Sequence, residues 1–212
     1  MENIEEHFLS EIENFRFWAE DSPEEKRFEE WECNYPNWVE IYSTFDEFLQ
    51  ASEIENLGEA DLNELLYIIA ADNECEILTE KVAKHPDKLL FLSQIAIHSI
   101  YNNAKWQLAS ELGKIKTHKA EAEQLLFQFA KDQDEYTSRR ALGALGKLGS
   151  SRLIEFVESA WATNHEYQRI MALSVLQRTD SPELEKYLLL AEQDGRKHLI
   201  YNASQIRSGH SR

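Results

Sequence analysis

The sequence predicts an all-α protein: an α-solenoid of stacked helix pairs that begins with an acidic, aromatic-rich helical cap. Three observations predict it. The 212 residues include only seven glycines and four prolines, too few to punctuate a chain of short strands. Apolar residues recur almost everywhere at spacings of three and four, the period of one helix face. From residue 61 onward the chain also matches itself at a shift of about thirty residues.

The elements follow in order. Ile4, Phe8, Ile12, Phe15 and Ala19 stripe a first helix, with Glu6, Glu13 and Glu20 on another face. Ser22-Pro23-Glu24-Glu25 reads as the start of a short second helix carrying Phe28 and Trp31. Ser is its N-cap, Pro its first helical residue, and Glu25 holds the capping-box position. After a break at Asn34-Tyr35-Pro36, a third helix is striped by Trp38, Ile41 or Tyr42, Phe45, Phe48 and Leu49. Residues 1–60 thus form the predicted cap. Helix pairs follow over 61–212: 61–71 with 75–84, 87–98 with 101–115, 119–131 with 134–148, 150–162 with 165–178, and 182–192 with 196–207. Cap and array are expected to form one continuous domain.

A shift of 31 places Tyr136 on Tyr167, Ala141 on Ala172, Leu142 on Leu173 and Leu145 on Leu176. One repeat later, Leu153, Phe156, Val157 and Ala160 fall on Leu184, Tyr187, Leu188 and Ala191. Each pair alone has an apolar face that only a stacked neighbour can bury. Small residues at Ala109, Ala141 and Ala172 allow that close approach. A non-repetitive helical bundle explains less, because several positions agree at a single shift.

Charge is the second guide. The formal net charge is −17, and residues 1–60 hold 18 acidic against 3 basic side chains, while 61–212 hold 21 against 19. Eleven of the 23 aromatics also occur by Phe48. Such a chain is a poor general binder of nucleic acid or anionic lipid, which need positive surface. Acids at the N-terminus and the lack of a long apolar run argue against a signal peptide or membrane span, so a cytoplasmic location is expected.

No chemistry is spelled out locally. The seven histidines show no zinc spacing, and Cys33 and Cys75 could pair but do not make a disulfide scaffold. No nucleophile elbow or phosphate loop occurs. Gly143 and Gly146 lie in a helical context and are expected to permit close packing. No catalytic residue, metal or cofactor is therefore predicted, and the chain reads as non-enzymatic.

The run Ala141-Leu142-Gly143-Ala144-Leu145-Gly146, within phased Leu/Ala-rich helix pairs over 61–207, resembles the HEAT-like and armadillo-like repeat superfamily. That resemblance implies architecture rather than activity. A class of DNA glycosylases shares such repeats, and Lys105, Trp106, Arg139, Arg140 and Arg169 could line a concave face able to hold a phosphate backbone or a protein partner. Size, charge and architecture are also similar to bacterial immunity proteins of contact-dependent growth inhibition, which implies blockade of a toxin without catalysis.

The acidic segment suggests where such blockade would occur. A partner with positive surface, such as a nuclease toxin, would be steered by Glu24, Glu25, Glu29, Glu30 and Glu32. Trp31, Tyr35, Trp38 and Tyr42 are candidate aromatic anchors beside them. A HEAT-like scaffold or adaptor binding through the basic line is the alternative.

Overall fold

The computed structural model describes residues 3–22, 25, 27 and 30–209. Among them are twelve α-helices, two 3-10 turns and no strand. The chain divides into two compact units, Met1–Glu111 and Leu112–Arg212.

The first unit opens with α1 (Ile4–Asp21), capped by the Asn3 side chain, which accepts from the Glu5 N–H at 3.2 Å. Phe8, Ile12, Phe15 and Ala19 are buried along it as the stripe requires, whereas Ile4 in the first turn is exposed. Then come a 3-10 turn at Trp31–Asn34, α2 (Trp38–Ala51), a second turn at Ile54–Asn56, and α3 (Glu59–Ala71). α4 (Ile77–Val82), α5 (Pro86–Ala96) and α6 (Asn102–Leu112) follow. α1 packs on α2 and α3, α2 on α4, and α5 on both α3 and α4.

Two local expectations change. Pro23, Glu24 and Phe28, central to the predicted second helix, lie outside the described residues. Ser22 closes α1, its N–H donating to the Ala19 carbonyl at 3.2 Å, and Trp31 opens a 3-10 turn. α4 starts later than periodicity suggests because Glu76 adopts a left-handed conformation (φ 55°). Its first turn is capped from a distance by Asp72, whose Oδ2 accepts from the Leu78 N–H at 2.7 Å. Buried Gln107 ties α6 to this arrangement, donating to the Ile69 carbonyl at 2.8 Å and accepting from Thr79 Oγ1 at 3.0 Å.

The second unit holds α7 (Lys119–Phe129), α8 (Glu135–Leu148), α9 (Leu153–Ala162), α10 (Glu166–Arg178), α11 (Leu184–Asp194) and α12 (Lys197–Arg207). Pair partners pack together, and α8, α10 and α12 also pack in succession. The 31-residue period is visible in the core: Ala141, Leu142 and Leu145, and then Ala172, Leu173 and Leu176, are all buried. Gly146 is needed for this spacing, since a Cβ there would stand 2.8 Å from Val175 Cγ1. Gly113 is tighter, 2.7 Å from the Ala144 backbone.

Polar contacts keep the same period. Glu166 Oε1 accepts the backbone N–H groups of His198 and Leu199, each at 3.0 Å, and so caps α12. One repeat earlier, Glu135 Oε1 lies 3.4 Å from Nδ1 of His165, the N-cap of α10.

Candidate protein-binding site

The aromatic anchors expected on the surface form an internal stack. Trp31 lies against Trp18 with ring centroids 5.2 Å apart, and Phe15 meets Trp18, Tyr35, Trp38 and Tyr67 at 5.0–5.9 Å. Trp38 continues the stack onto Tyr42 at 5.4 Å and donates its indole N–H to the Glu32 carbonyl at 2.8 Å. Tyr35 is only 5% exposed, so as an exposed anchor it is corrected: it belongs to the core. Trp31, Trp38 and Tyr42 are half-buried. Helical spacing could not separate these roles, because three elements converge on Phe15 from positions far apart in sequence.

Among the steering acids, Glu24 and Glu29 lie outside the described residues, Glu25 and Glu30 are exposed, and Glu32 is half-buried. Burial pushes the Glu32 carboxyl up from its ordinary value, and the charge of Glu74 adds to the effect.

The cations of this segment are engaged in holding the fold. Arg16 forms a bidentate pair with Glu64 at 2.6–2.8 Å and lies 4.0 Å from the Tyr67 ring centroid. Arg27 donates to the carbonyls of Ala19 and Ser22 at the end of α1, at 2.6 and 2.9 Å, and covers the Trp31 ring. Lys26 lies outside the described residues. Glu6, Glu13, Glu20, Asp21, Glu47, Glu53, Glu55, Glu59, Glu74 and Glu80 meanwhile stand exposed. The first unit carries 26 acidic and 7 basic side chains, net −19, and the second 13 and 15, net +2.

That field has two clefts, one on each side of α3. Between α1 and α3 a cleft of ≈ 480 Å³ is lined by Glu6, Leu9, Ser10, Glu13, Arg16, Asp61 and Glu64. Four carboxylates surround one guanidinium already paired, so the cleft suits a cationic side chain whose alkyl stem lies on Leu9. Between α3 and α5 a second cleft of ≈ 480 Å³ is lined by the buried Leu62 and Leu66 and the half-buried Ile95, with Glu59, Asn63, Gln94, His98 and Ser99 around them. The sequence reading missed both. Glu6 and Glu13 were legible as one face, but Asp61 and Glu64 join them only through helix packing.

The alternative basic line is interrupted. Lys105 and Trp106 are buried, which corrects their assignment to an open groove. Trp106 Nε1 meets Asn103 Oδ1 at 3.2 Å. Arg169 is paired with Asp194 and donates to the Trp161 carbonyl at 3.0 Å. Arg139 and Arg140 are half-buried beside tyrosines: the Arg139 guanidinium lies 4.7 Å from the Tyr136 ring and 5.4 Å from that of Tyr167. Those two tyrosines, matched at the repeat shift, are 38% and 49% exposed. Their recurrence therefore marks a surface rather than the core.

Residues 89–177 match the family model of HEAT repeats. This supports the α-helical, HEAT-like repeat fold seen in the helix pairs. No curated protein and no solved structure matches the chain significantly. Among the described residues no group of three or more His, Cys, Asp or Glu could hold a metal, and no helix is long and apolar enough to cross a membrane.

Proposed function

We propose that the chain is a non-catalytic, protein-binding HEAT-like module whose first unit docks a basic protein. The observation that carries this reading is the uncompensated charge of that unit. Its net −19 lies around exposed carboxylates, and its described arginines are committed to Glu64 and to the end of α1. Opposite charge on a partner would speed encounter and set its orientation. The acidic α1–α3 cleft then receives a Lys or Arg side chain, and the apolar α3–α5 cleft supplies desolvated contact area.

The finer reading is an inhibitor or immunity protein that covers the phosphate-binding surface of a basic toxin domain such as a nuclease, acting in the cytoplasm. Steric and electrostatic blockade is sufficient for this role, and no cofactor is required. The exposed Tyr136 and Tyr167, with the half-buried Arg139 against both rings, favour a second reading, an adaptor that binds through the second unit. The line required by a DNA glycosylase is weakened, with Lys105 and Trp106 buried.

The test is affinity capture from the cell of origin at low and high salt, comparing wild type with two variants. A triple Glu6→Lys, Glu13→Lys, Asp61→Lys variant is expected to lose a basic protein that wild type retains at low salt. An Arg139→Ala, Arg140→Ala variant is expected to keep it. The opposite pattern transfers binding to the second unit. Loss of the captured protein's nuclease activity on titration with this chain then tests the inhibitor reading.

A further inference from the structure

We propose that the second unit carries a binding site for an indole ring, in the cleft between α8, α9 and α10. The cleft encloses ≈ 280 Å³. Small-molecule pockets run upward from roughly 300 Å³, so this one has room for a single ring system or side chain. Its apolar wall is formed by Leu142, Phe156 and Ala160, all buried, with Phe156 fixed by stacking on Phe127 at 4.9 Å.

The amide of Gln168 points to a ligand. This residue lines the cleft and is 4% exposed. Its Nε2 donates to the Glu135 carbonyl at 3.1 Å and to Ser138 Oγ at 2.8 Å. A carbonyl can only accept, so the nitrogen is fixed on this side and both its hydrogens are used. Oε1 accepts no hydrogen bond among the described residues. It is not sealed either, since the sealed side-chain atoms without a partner among the described residues are on Tyr35 and Ser93. The small open part of Gln168 thus holds an unused acceptor, and it opens to the cleft.

Two hydroxyls of the lining have no proton to offer. Ser138 Oγ donates to the Glu135 carbonyl at 3.0 Å, and Thr163 Oγ1 to the Ala160 carbonyl at 2.7 Å. The third, on Ser159, is exposed to water. The backbone N–H groups of Lys131 and Asp132 are taken by the carbonyls of Gln128 and Phe129. The enclosed wall therefore accepts hydrogen bonds and does not donate them. Exposed Lys131 and half-buried Asp132 complete the lining with opposite charges, which favours neither a cation nor an anion. The matching occupant is neutral, apolar in body, and a donor without an acceptor. An indole N–H is such a group, whereas a phenol would bring oxygen lone pairs to an accepting wall. The ring belongs to a free indole compound or to a tryptophan of a partner protein.

The experiment titrates the isotope-labelled full chain with indole, N-acetyl-tryptophanamide, 1-methylindole and p-cresol, and follows NMR shifts. Indole should give saturable shifts at Ser138, Ala160 and the Gln168 side-chain amide, with α1 to α3 unmoved. 1-Methylindole, which lacks the donor, and p-cresol should each bind about tenfold more weakly, the size of one hydrogen bond to a buried acceptor. Ala160→Leu, whose added bulk fills the cleft, should abolish the indole shifts. Matching shifts with N-acetyl-tryptophanamide assign the ring to a partner's tryptophan, and their absence beside indole binding assigns it to a free indole compound. No saturable shift with indole or N-acetyl-tryptophanamide, or equal affinity for 1-methylindole, overturns the proposal.

Discussion

The two units share one construction and differ in how they treat charge. Both are helix pairs with a buried apolar face, yet the first carries net −19 and the second net +2. Two aspartates show the contrast at the scale of a single residue. Asp72 in the first unit is 3% exposed, and burial pushes its carboxyl up to about 6 although Leu78, Tyr42 and Ile77 donate to it. Asp194 in the second is almost as enclosed, its side chain 6% exposed. Bonds from the Arg196 and Arg169 side chains hold its carboxyl well below the usual carboxylate range. In the second unit, then, a buried acid has cations in contact. In the first, Asp72 is satisfied by neutral donors, and although Glu64 pairs with Arg16 and Asp46 with Lys81, the exposed carboxylates leave a net negative charge.

The largest test of this division is Phe15→Ala. It removes the ring at the centre of the first unit's stack and should cost about 3–5 kcal/mol. Hydrogen exchange resolved by peptide should show protection lost across α1, α2 and α3, with α8 and α10 unchanged. An equal loss in α8 and α10 would mean that the units unfold together.

Asp72→Ala and Asp194→Ala come next, each at about 1–3 kcal/mol for the donors left behind. Chemical denaturation should show both losses, the first carried by α4, the second by the α9–α10 and α11–α12 connections.

Their pH dependences run in opposite directions. Asp72 binds its proton more tightly in the folded protein than in the unfolded chain. Its contribution to stability is therefore greatest below the unfolded value near about 4 and falls as pH rises through about 6. Asp194, with a depressed value, contributes fully above the unfolded value and loses that contribution as pH falls through its folded value. Thermal unfolding between pH 7 and pH 5 should rise for wild type relative to Asp72→Asn. Below about pH 4, the reference carboxylate value, Asp194→Asn should lose the acid sensitivity that wild type retains.

The smallest effects belong to the exposed acids. Glu13→Gln and Glu20→Gln should each change stability by no more than about 0.5 kcal/mol. Their sign should be stabilising at low salt and vanish as salt screens the first unit's self-repulsion. A destabilising change would show that these carboxylates have structural partners.

The helix pairs of 61–207 were legible almost to their ends because each has its own apolar stripe. α10 at Glu166–Arg178, for example, was expected at 165–178. The N-terminal segment was less legible. Ser22 has the chemistry of an N-cap, yet it ends α1, because its backbone N–H is placed to reach Ala19. The candidate site was legible as a charge excess and not as a surface.

Periodicity and composition establish the helices, their pairing, the repeat and the acidity, since all of these depend on neighbours a few residues apart. Tertiary packing decides the rest. It buries Tyr35 and Trp106, commits Arg16 to Glu64 across 48 positions, and brings Asp61 beside Glu6 and Glu13. Whether a side chain is core, brace or binding surface depends on the helix laid against it, and no local pattern in the chain encodes that contact.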